Sequence, residues 1–434
     1  VKPIVILRTF ALCVLAATAV RATDLRTLAD ELDATLRVHT LEAWFPRALD
    51  NEKGGFYCTF DREWNRAERQ PKTTVFQARM TWSAAQIVLH RPALADTFRP
   101  IVRRGADQLA RMIDAESGGY FWEVPLRKST RQPKHAYAQA YAIYALAAAS
   151  AALDDPALRD RAIAAFRWLD EYAHDLIHGG YHEALALDGT PIPARALDSG
   201  QRLFDTLETP FGGKSLNTHL HLLEAFTELF RVWPDALLRE RMDELVELTL
   251  NRIVIAPGTQ NLRFTADWRA LPAPLSYGYD VETAFLLIDA ATVLGRPDDP
   301  AIARAARSLV DHALRFGWDE KHGGLFDAGA ISTGPLAPRE KIGWVQLENL
   351  HTLLLLHERF GTTDDRYQVR FLAQWRFIQT HLIDTRHGGW YREVAEDGAL
   401  LPGEASIKGW EWKDPYHEVR ALLQTADRLR RLAK

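Results

Sequence analysis

The chain has 434 residues, 47% of them hydrophobic and 25% charged, with 13 Trp and a formal net charge of −4. That balance supports a sizeable buried core, and without a basic stripe it argues against nucleic acid as a partner. No linker, low-complexity tract or break in composition divides the chain, so one domain over residues 23–434 is expected where length alone would allow two or three.

Residues 1–22, "VKPIVILRTFALCVLAATAVRA", carry Lys2 and Arg8, an apolar run from Phe10 to Val20, and small residues at Ala17, Ala19 and Ala22. This is the pattern of a signal peptide, and it predicts export to a periplasm or beyond. The alternative is an over-long start in front of a cytoplasmic enzyme. The run is too short to remain as a membrane span, so no stable membrane anchor is expected. Cys13 follows Leu12 where a lipoprotein would have a small residue, and once the leader is removed Cys58 is the one cysteine left, which excludes an internal disulfide.

A helix is expected at 24–46. The phrase "DNEKGGFY" (50–57) follows, and versions of it return as "DAESGGYF" (114–121), "DLIHGGYHEA" (175–184), "DEKHGGLF" (319–326) and "DTRHGGWYRE" (384–393). The glycine pairs are separated by 64, 61, 144 and 65 residues, and the double gap predicts a decayed sixth copy near "APGTQNLRF" at 256–264. Between copies the pattern gives two helices: 74–91 and 97–114, 135–152 and 156–174, 215–233 and 235–253, 278–294 and 299–315, 341–360 and 364–382. A last helix at 415–433 makes twelve. The first of each pair is apolar nearly all round ("AYAQAYAIYALAAA"), and the second has an Arg/Asp/Glu face. Repeats bury their apolar faces only against neighbours, so six such pairs predict an all-α closed double ring, an (α/α)6 barrel. The Gly-Gly phrases then serve as short hairpins between an outer helix and the next inner one, with an architectural role for the glycines.

Polar and indole groups gather near the start of each inner helix: Arg79; Tyr137 and Gln139; Asn217 and His221; Tyr279 and Glu282; Trp344, Gln346 and Glu348; Trp412 and His417. Any one of them could simply complete a buried hydrogen bond, but six converging sets point to a site. Asn217 and His221 are four apart and share a helix face, while His219 points elsewhere and is expected to be structural. Tyr279 and Glu282, three apart, also share a face. No HExxH or paired-cysteine spacing is present, so no metal is expected.

At "NTHLHLLEAFTELFRVWPD", "HAYAQAYAIYAL", "SYGYDVE" and "WKDPYHE" the sequence resembles the N-acylglucosamine 2-epimerase superfamily, and within it the cellobiose 2-epimerases. The resemblance implies an (α/α)6 barrel that acts on a free reducing sugar without a cofactor, epimerising C2 of the reducing-end glucose of a β-1,4-linked disaccharide. It implies His417 as one acid/base, Arg79 as the partner of the developing oxyanion, and His221 and Asn217 as groups that position hydroxyls and share the proton traffic. Trp344 and Trp412 would stack on sugar rings, with Tyr137 and Glu348 lining the cavity. The family's second acid/base is a His where this chain has Tyr279; Arg79 would favour the phenolate and Glu282 oppose it. Gly343 replaces a Trp of many relatives and predicts a wider cavity or a lost stacking surface. Two further readings follow from Tyr279: aldose–ketose isomerisation of the mannose type, which needs only one competent acid/base, and a non-catalytic sugar-binding protein. Glycoside cleavage would need two carboxyls facing each other across a bond, and no pair is singled out by spacing. A monomer or homodimer is expected.

Overall fold

The computed structural model describes residues 22–124, 132–195, 200, 203–331, 333–361 and 364–434. All but the last residue of the expected leader lies outside them. The chain enters through α1 (Ala22–Thr35), which passes through a π turn at Leu36–Leu41 into α2 (Glu42–Ala48). Ten helices then alternate as expected: α3 (Thr74–His90) and α4 (Ala95–Ala110), α5 (Ala136–Leu153) and α6 (Pro156–Ala173), α7 (Leu216–Val232) and α8 (Ala236–Leu248), α9 (Tyr277–Val293) and α10 (Pro300–Phe316), α11 (Gly343–Phe360) and α12 (Arg366–His381). The last helix is α13 (Tyr416–Leu432).

A helix that is apolar on all sides must be covered on all sides. Accordingly α3, α5, α7, α9, α11 and α13 form an inner ring, each packed on the next, with α13 returning to α3. The even-numbered helices α4 to α12 lie outside, and α1 covers α13. The result is an (α/α)6 barrel. Helix α5 alone among the described residues is long and apolar enough to cross a membrane, and it is 89% buried within the ring.

Three expected helices differ. The segments 24–46 and 235–253 each contain a π turn, at Leu36–Leu41 and Thr249–Ile253, where one extra residue per turn shifts the register of the outer helix. The helix expected to reach 114 stops at Ala110, because the chain must already turn toward its Gly-Gly hairpin.

Each Gly-Gly phrase is built the same way. All ten glycines have φ between 64° and 82°, a conformation that side chains disfavour, and two in succession turn the chain sharply. The leading Asp accepts the backbone N–H groups two and three residues on, as Asp50 does from Glu52 and Lys53 at 3.1 and 2.8 Å, except that Asp114 takes the Ser117 hydroxyl in place of the second N–H. It also holds a buried lysine just before the next inner helix. These clasps are Asp50–Lys72 (2.7 Å), Asp114–Lys134 (3.0 Å), Asp175–Lys214 (2.7 Å), Asp319–Lys341 (2.7 Å) and Asp384–Lys408 (2.7 Å). A side chain of the inner helix accepts the N–H after the second glycine: Gln77 from Phe56, Gln139 from Tyr120, His219 from Tyr181, Gln346 from Leu325. His219 is therefore structural as expected, and Gln139 and Gln346 do the same work away from the site. The sixth hairpin is present at Val254–Ile255 and Thr259–Gln260, turning at Pro257-Gly258 without the Asp or the glycine pair.

Candidate active site

The inner helices all begin at one end of the barrel, four of them with a side-chain cap: Thr73 for α3, His135 for α5, Ser215 for α7 and Ser276 for α9. Their N-termini therefore converge on one mouth, and the partial positive charge at each favours an anion there. The i, i+4 spacing stacks two rings of side chains beneath that mouth. Tyr137, Asn217, Tyr279, Trp344 and His417 come from first turns; Arg79, Tyr141, His221, Glu282 and Glu348 come from second turns.

A cleft of about 420 Å³ opens there, lined by Arg79, Tyr137, Asn217, His221, Tyr279, Glu282, Trp344, Trp412 and His417. Nine of the ten residues anticipated from the sequence thus meet in one cavity. Glu348 is the exception, because it is fully buried below the floor and holds His417 from underneath, Oε1 to Nδ1 at 2.6 Å. Additional wall comes from Trp410, Arg392, Glu393 and the loop residues Thr206, Leu207 and Glu208. Gly343, where a wider cavity or a lost stacking surface is expected, packs closely against neighbouring backbone. A Cβ added there would lie 3.1 Å from the Arg392 carbonyl and 3.2 Å from that of Tyr391, so backbone already closes on the position.

His221 and His417 share one arrangement. A carboxylate can only accept, so the His417 Nδ1 carries the proton that Glu348 receives, and the His221 Nδ1 donates to Glu224 Oε2 at 2.8 Å. Among the described residues no protein group bonds Nε2 of either ring, which leaves that nitrogen for the cleft. Burial lowers His417 to about 3, outweighing the Glu348 contact, so the ring is neutral at physiological pH. Because α7 and α13 stand three places apart in a ring of six, these imidazoles come from opposite walls.

Beneath them lies Arg420, which the sequence reading left unassigned although it sits three residues after His417 on the same face. Its guanidinium pairs with Glu224, with Glu282 at 2.5 Å and with Glu348 at 2.6 Å. Ligand atoms of Glu282, Glu348 and His417 lie within 4.8 Å of one another, and the positive charge these two carboxylates face is Arg420. Burial raises all three acids, yet Arg420 and the neighbouring histidines bring Glu224 down to about 2 and Glu348 well below the usual range. Glu282 stays raised, since burial and the charge of Glu348 outweigh its share of the guanidinium.

Arg79 donates to the Tyr141 hydroxyl at 2.7 Å and to that of Tyr137 at 3.3 Å, and lies 3.6 Å from Asp414. Its Nε is buried without a protein partner, and so is Oδ1 of Asn217. Tyr279 leans on Trp344, with ring centroids 5.5 Å apart, and Trp344 in turn lies 5.6 Å from His417. Burial, then Tyr137 and Glu282, push the Tyr279 hydroxyl well above its ordinary value against the pull of Arg79. At physiological pH it is a neutral phenol.

Comparison with known proteins agrees with this geometry. Residues 54–421 match the family model of N-acylglucosamine 2-epimerase (GlcNAc 2-epimerase). The chain is 30% identical over 412 residues to a cellobiose 2-epimerase of Bacteroides fragilis, covering 92% of this chain and 98% of that one. It is 24% identical to a D-mannose isomerase of Marinomonas mediterranea, over 89% of this chain and 94% of the relative. The solved cellobiose 2-epimerase from Spirochaeta thermophila superposes with a TM-score of 0.83 at 30% identity, covering 96% of this chain and all of that one. A match spanning most of the chain, carried by a barrel whose inner helices deliver imidazole, guanidinium and indole to one mouth, establishes that the chain belongs to the N-acylglucosamine 2-epimerase family of sugar epimerases and isomerases.

Proposed function

We propose that the chain epimerises C2 of the reducing-end glucose unit of cellobiose and related β-1,4-linked oligosaccharides to a mannose unit, without a cofactor. The reading is carried by two imidazoles that present Nε2 to one cleft from opposite inner helices, each with Nδ1 tied to a buried carboxylate. Once the sugar opens to its aldehyde, the C2 hydrogen becomes removable because the charge spreads onto the carbonyl oxygen. Neutral His417 takes that proton at Nε2, and Glu348 stabilises the imidazolium as it forms. Arg79 and the six helix N-termini stabilise the enediolate, a term worth ~3 kcal/mol for one well-placed donor. Return of a proton from Nε2 of His221, which enters this direction of turnover protonated at both ring nitrogens, inverts the centre from the opposite face. Tyr279 donates a hydrogen bond to a hydroxyl, and Trp344, Trp412 and Trp410 supply apolar faces to the sugar rings.

Mannose-type aldose–ketose isomerisation is the second reading, favoured by one observation: Tyr279 stands as a neutral phenol where the family's second acid/base is an imidazole. Turnover of cellobiose and, separately, mannose in heavy water separates the two. Epimerisation places deuterium on C2 of an aldose. A ketose labelled at C1, with no mannose-containing disaccharide formed, refutes the proposal.

A further inference from the structure

A second cavity, of about 270 Å³, opens at the other end of the barrel among the later turns of the inner helices. Its inner end reaches Glu224 and Arg420, and it shares no lining residue with the front cleft. The C-terminal ends of helices carry partial negative charge, so an anion is disfavoured there. A cation meets no uncompensated carboxylate either. Glu224 has Arg420, Glu228 has Arg231 at 3.1 Å, Asp289 has Arg231 at 2.6 Å, and Asp427 has Arg91 at 2.9 Å.

What the wall leaves unsatisfied is neutral. Trp82 on α3 is only 3% exposed, stacks on Tyr144 with ring centroids 5.1 Å apart, and has an indole N–H without a protein partner. Gln424, on the adjoining inner helix α13, has a buried amide oxygen in the same condition. Both residues line the cavity. Buried polar atoms left unpaired are costly, so an occupant that accepts from one and donates to the other is favoured, and a hydroxyl group can do either. Much of the remaining wall is apolar, from Leu89, Val232, Phe285, Leu286 and Leu423, and water alone would leave it uncovered. A sugar ring answers both demands, with hydroxyls round its rim and C–H groups on its faces. The volume lies just under the ~300 Å³ at which pockets for larger ligands begin, which suits one ring and excludes a disaccharide.

We infer that the rear cavity is a second binding site, for a single uncharged sugar ring, one hydroxyl accepting from Nε1 of Trp82 and another donating to Oε1 of Gln424. The site stands apart from the reaction proposed for the front cleft and does not depend on it. Its occupant lies against Glu224 and Arg420, the groups that hold His221 and Glu348 from behind.

The test is NMR of the chain carrying isotope-labelled tryptophan, with glucose as the probe. The Trp82 indole signal is identified by its disappearance in Trp82→Phe, a change that keeps an aromatic ring beside Tyr144. With cellobiose saturating the front cleft, added glucose should move the Trp82 N–H signal downfield to a plateau, the response of a donor that gains an acceptor, while Trp412 stays where cellobiose put it. Gln424→Leu keeps the bulk and removes the amide, and should raise the glucose concentration at half-saturation about fivefold. An unmoved Trp82 signal, a shift that grows without reaching a plateau, or an unchanged half-saturation in Gln424→Leu overturns the site and leaves a cavity that holds water only. Cellobiose that moves neither Trp344 nor Trp412 refutes the front-cleft reading alone, and the Trp82 titration still decides the rear site.

Discussion

Replacing Tyr279 by histidine tests how the site does without the family's second imidazole. At pH 7 even an unperturbed phenol is ionised to about one part in a thousand, which denies it ~4 kcal/mol as a base relative to a neutral imidazole. Burial beside Tyr137 and Glu282 carries the native hydroxyl still further from ionisation. An imidazole there, buried like that of His417, would be neutral and basic, and it would stand on α9 directly opposite Arg79 on α3. The expected gain in epimerisation kcat for Tyr279→His is ~100-fold, the lower end of general-base contributions, with KM changed little. Tyr279→Phe removes one neutral hydrogen bond and should cost only ~1 kcal/mol, about fivefold. The assay is the initial rate of mannose-unit formation from cellobiose, with deuterium at C2 as the check on chemistry. A loss of activity in Tyr279→His together with a nearly dead Tyr279→Phe would show that the phenol carries a proton, and the assignment of that step to His221 would be wrong.

Glu348→Gln leaves His417 without the acceptor that fixes its tautomer, and kcat should fall ~100-fold or more while sugar binding, measured by calorimetry, persists; an unchanged kcat would remove Glu348 from the mechanism. Lys341→Met strands the buried Asp319 carboxylate, held at about 2 by that lysine, and should cost ~3–5 kcal/mol in urea unfolding; a change below 1 kcal/mol would mean the clasp is only decorative. Stability should also fall in acid. His219 and His417 are lowered to about 3, so between that value and an unfolded pKa near ~6.5 the unfolded chain binds two more protons than the folded one. Glu183, raised to about 7, works the other way, its stabilisation being lost as pH rises through that value. Between pH ~4.5 and ~6.5 these three groups leave a net slope of ~1.4 kcal/mol per pH unit in favour of higher pH, readable as the shift of urea midpoints. In the same window His417 remains neutral, so catalysis should persist until the fold itself fails.

The barrel was legible because a 65-residue period repeats five times, and because inner and outer helices differ in how far round their apolar surface runs. Site residues were legible where two lie on one helix face: Asn217 with His221, Tyr279 with Glu282. What escaped depends on convergence of segments far apart in the chain. Arg420 looks like an ordinary helix residue until α7, α9 and α11 bring Glu224, Glu282 and Glu348 to it. Glu348 looked like a wall residue because its i+4 partner Trp344 is one, but the barrel narrows by a turn and puts it under the floor. The Asp–Lys clasps did leave a sequence signal, a lysine 20 to 24 residues after the Asp in four of five repeats. The fifth is hidden by a 39-residue interval between Asp175 and Lys214. Trp410 and the 206–208 loop reach the cleft from irregular segments, where no periodicity reports direction.

Closure of the ring brings the two ends of the described chain together: Arg26 donates to the Ala433 carbonyl at 3.2 Å, and Arg430 binds Asp30 at 2.8 Å. A short peptide could therefore join residue 434 to residue 22, and the polypeptide could be cut instead at the tip of the third hairpin, where Leu176 and Ile177 are 87% and 85% exposed. Such a circular permutant would keep every clasp and every inner-helix cap. It should fold and turn over sugar, because a wheel of equivalent spokes has no obligatory first one.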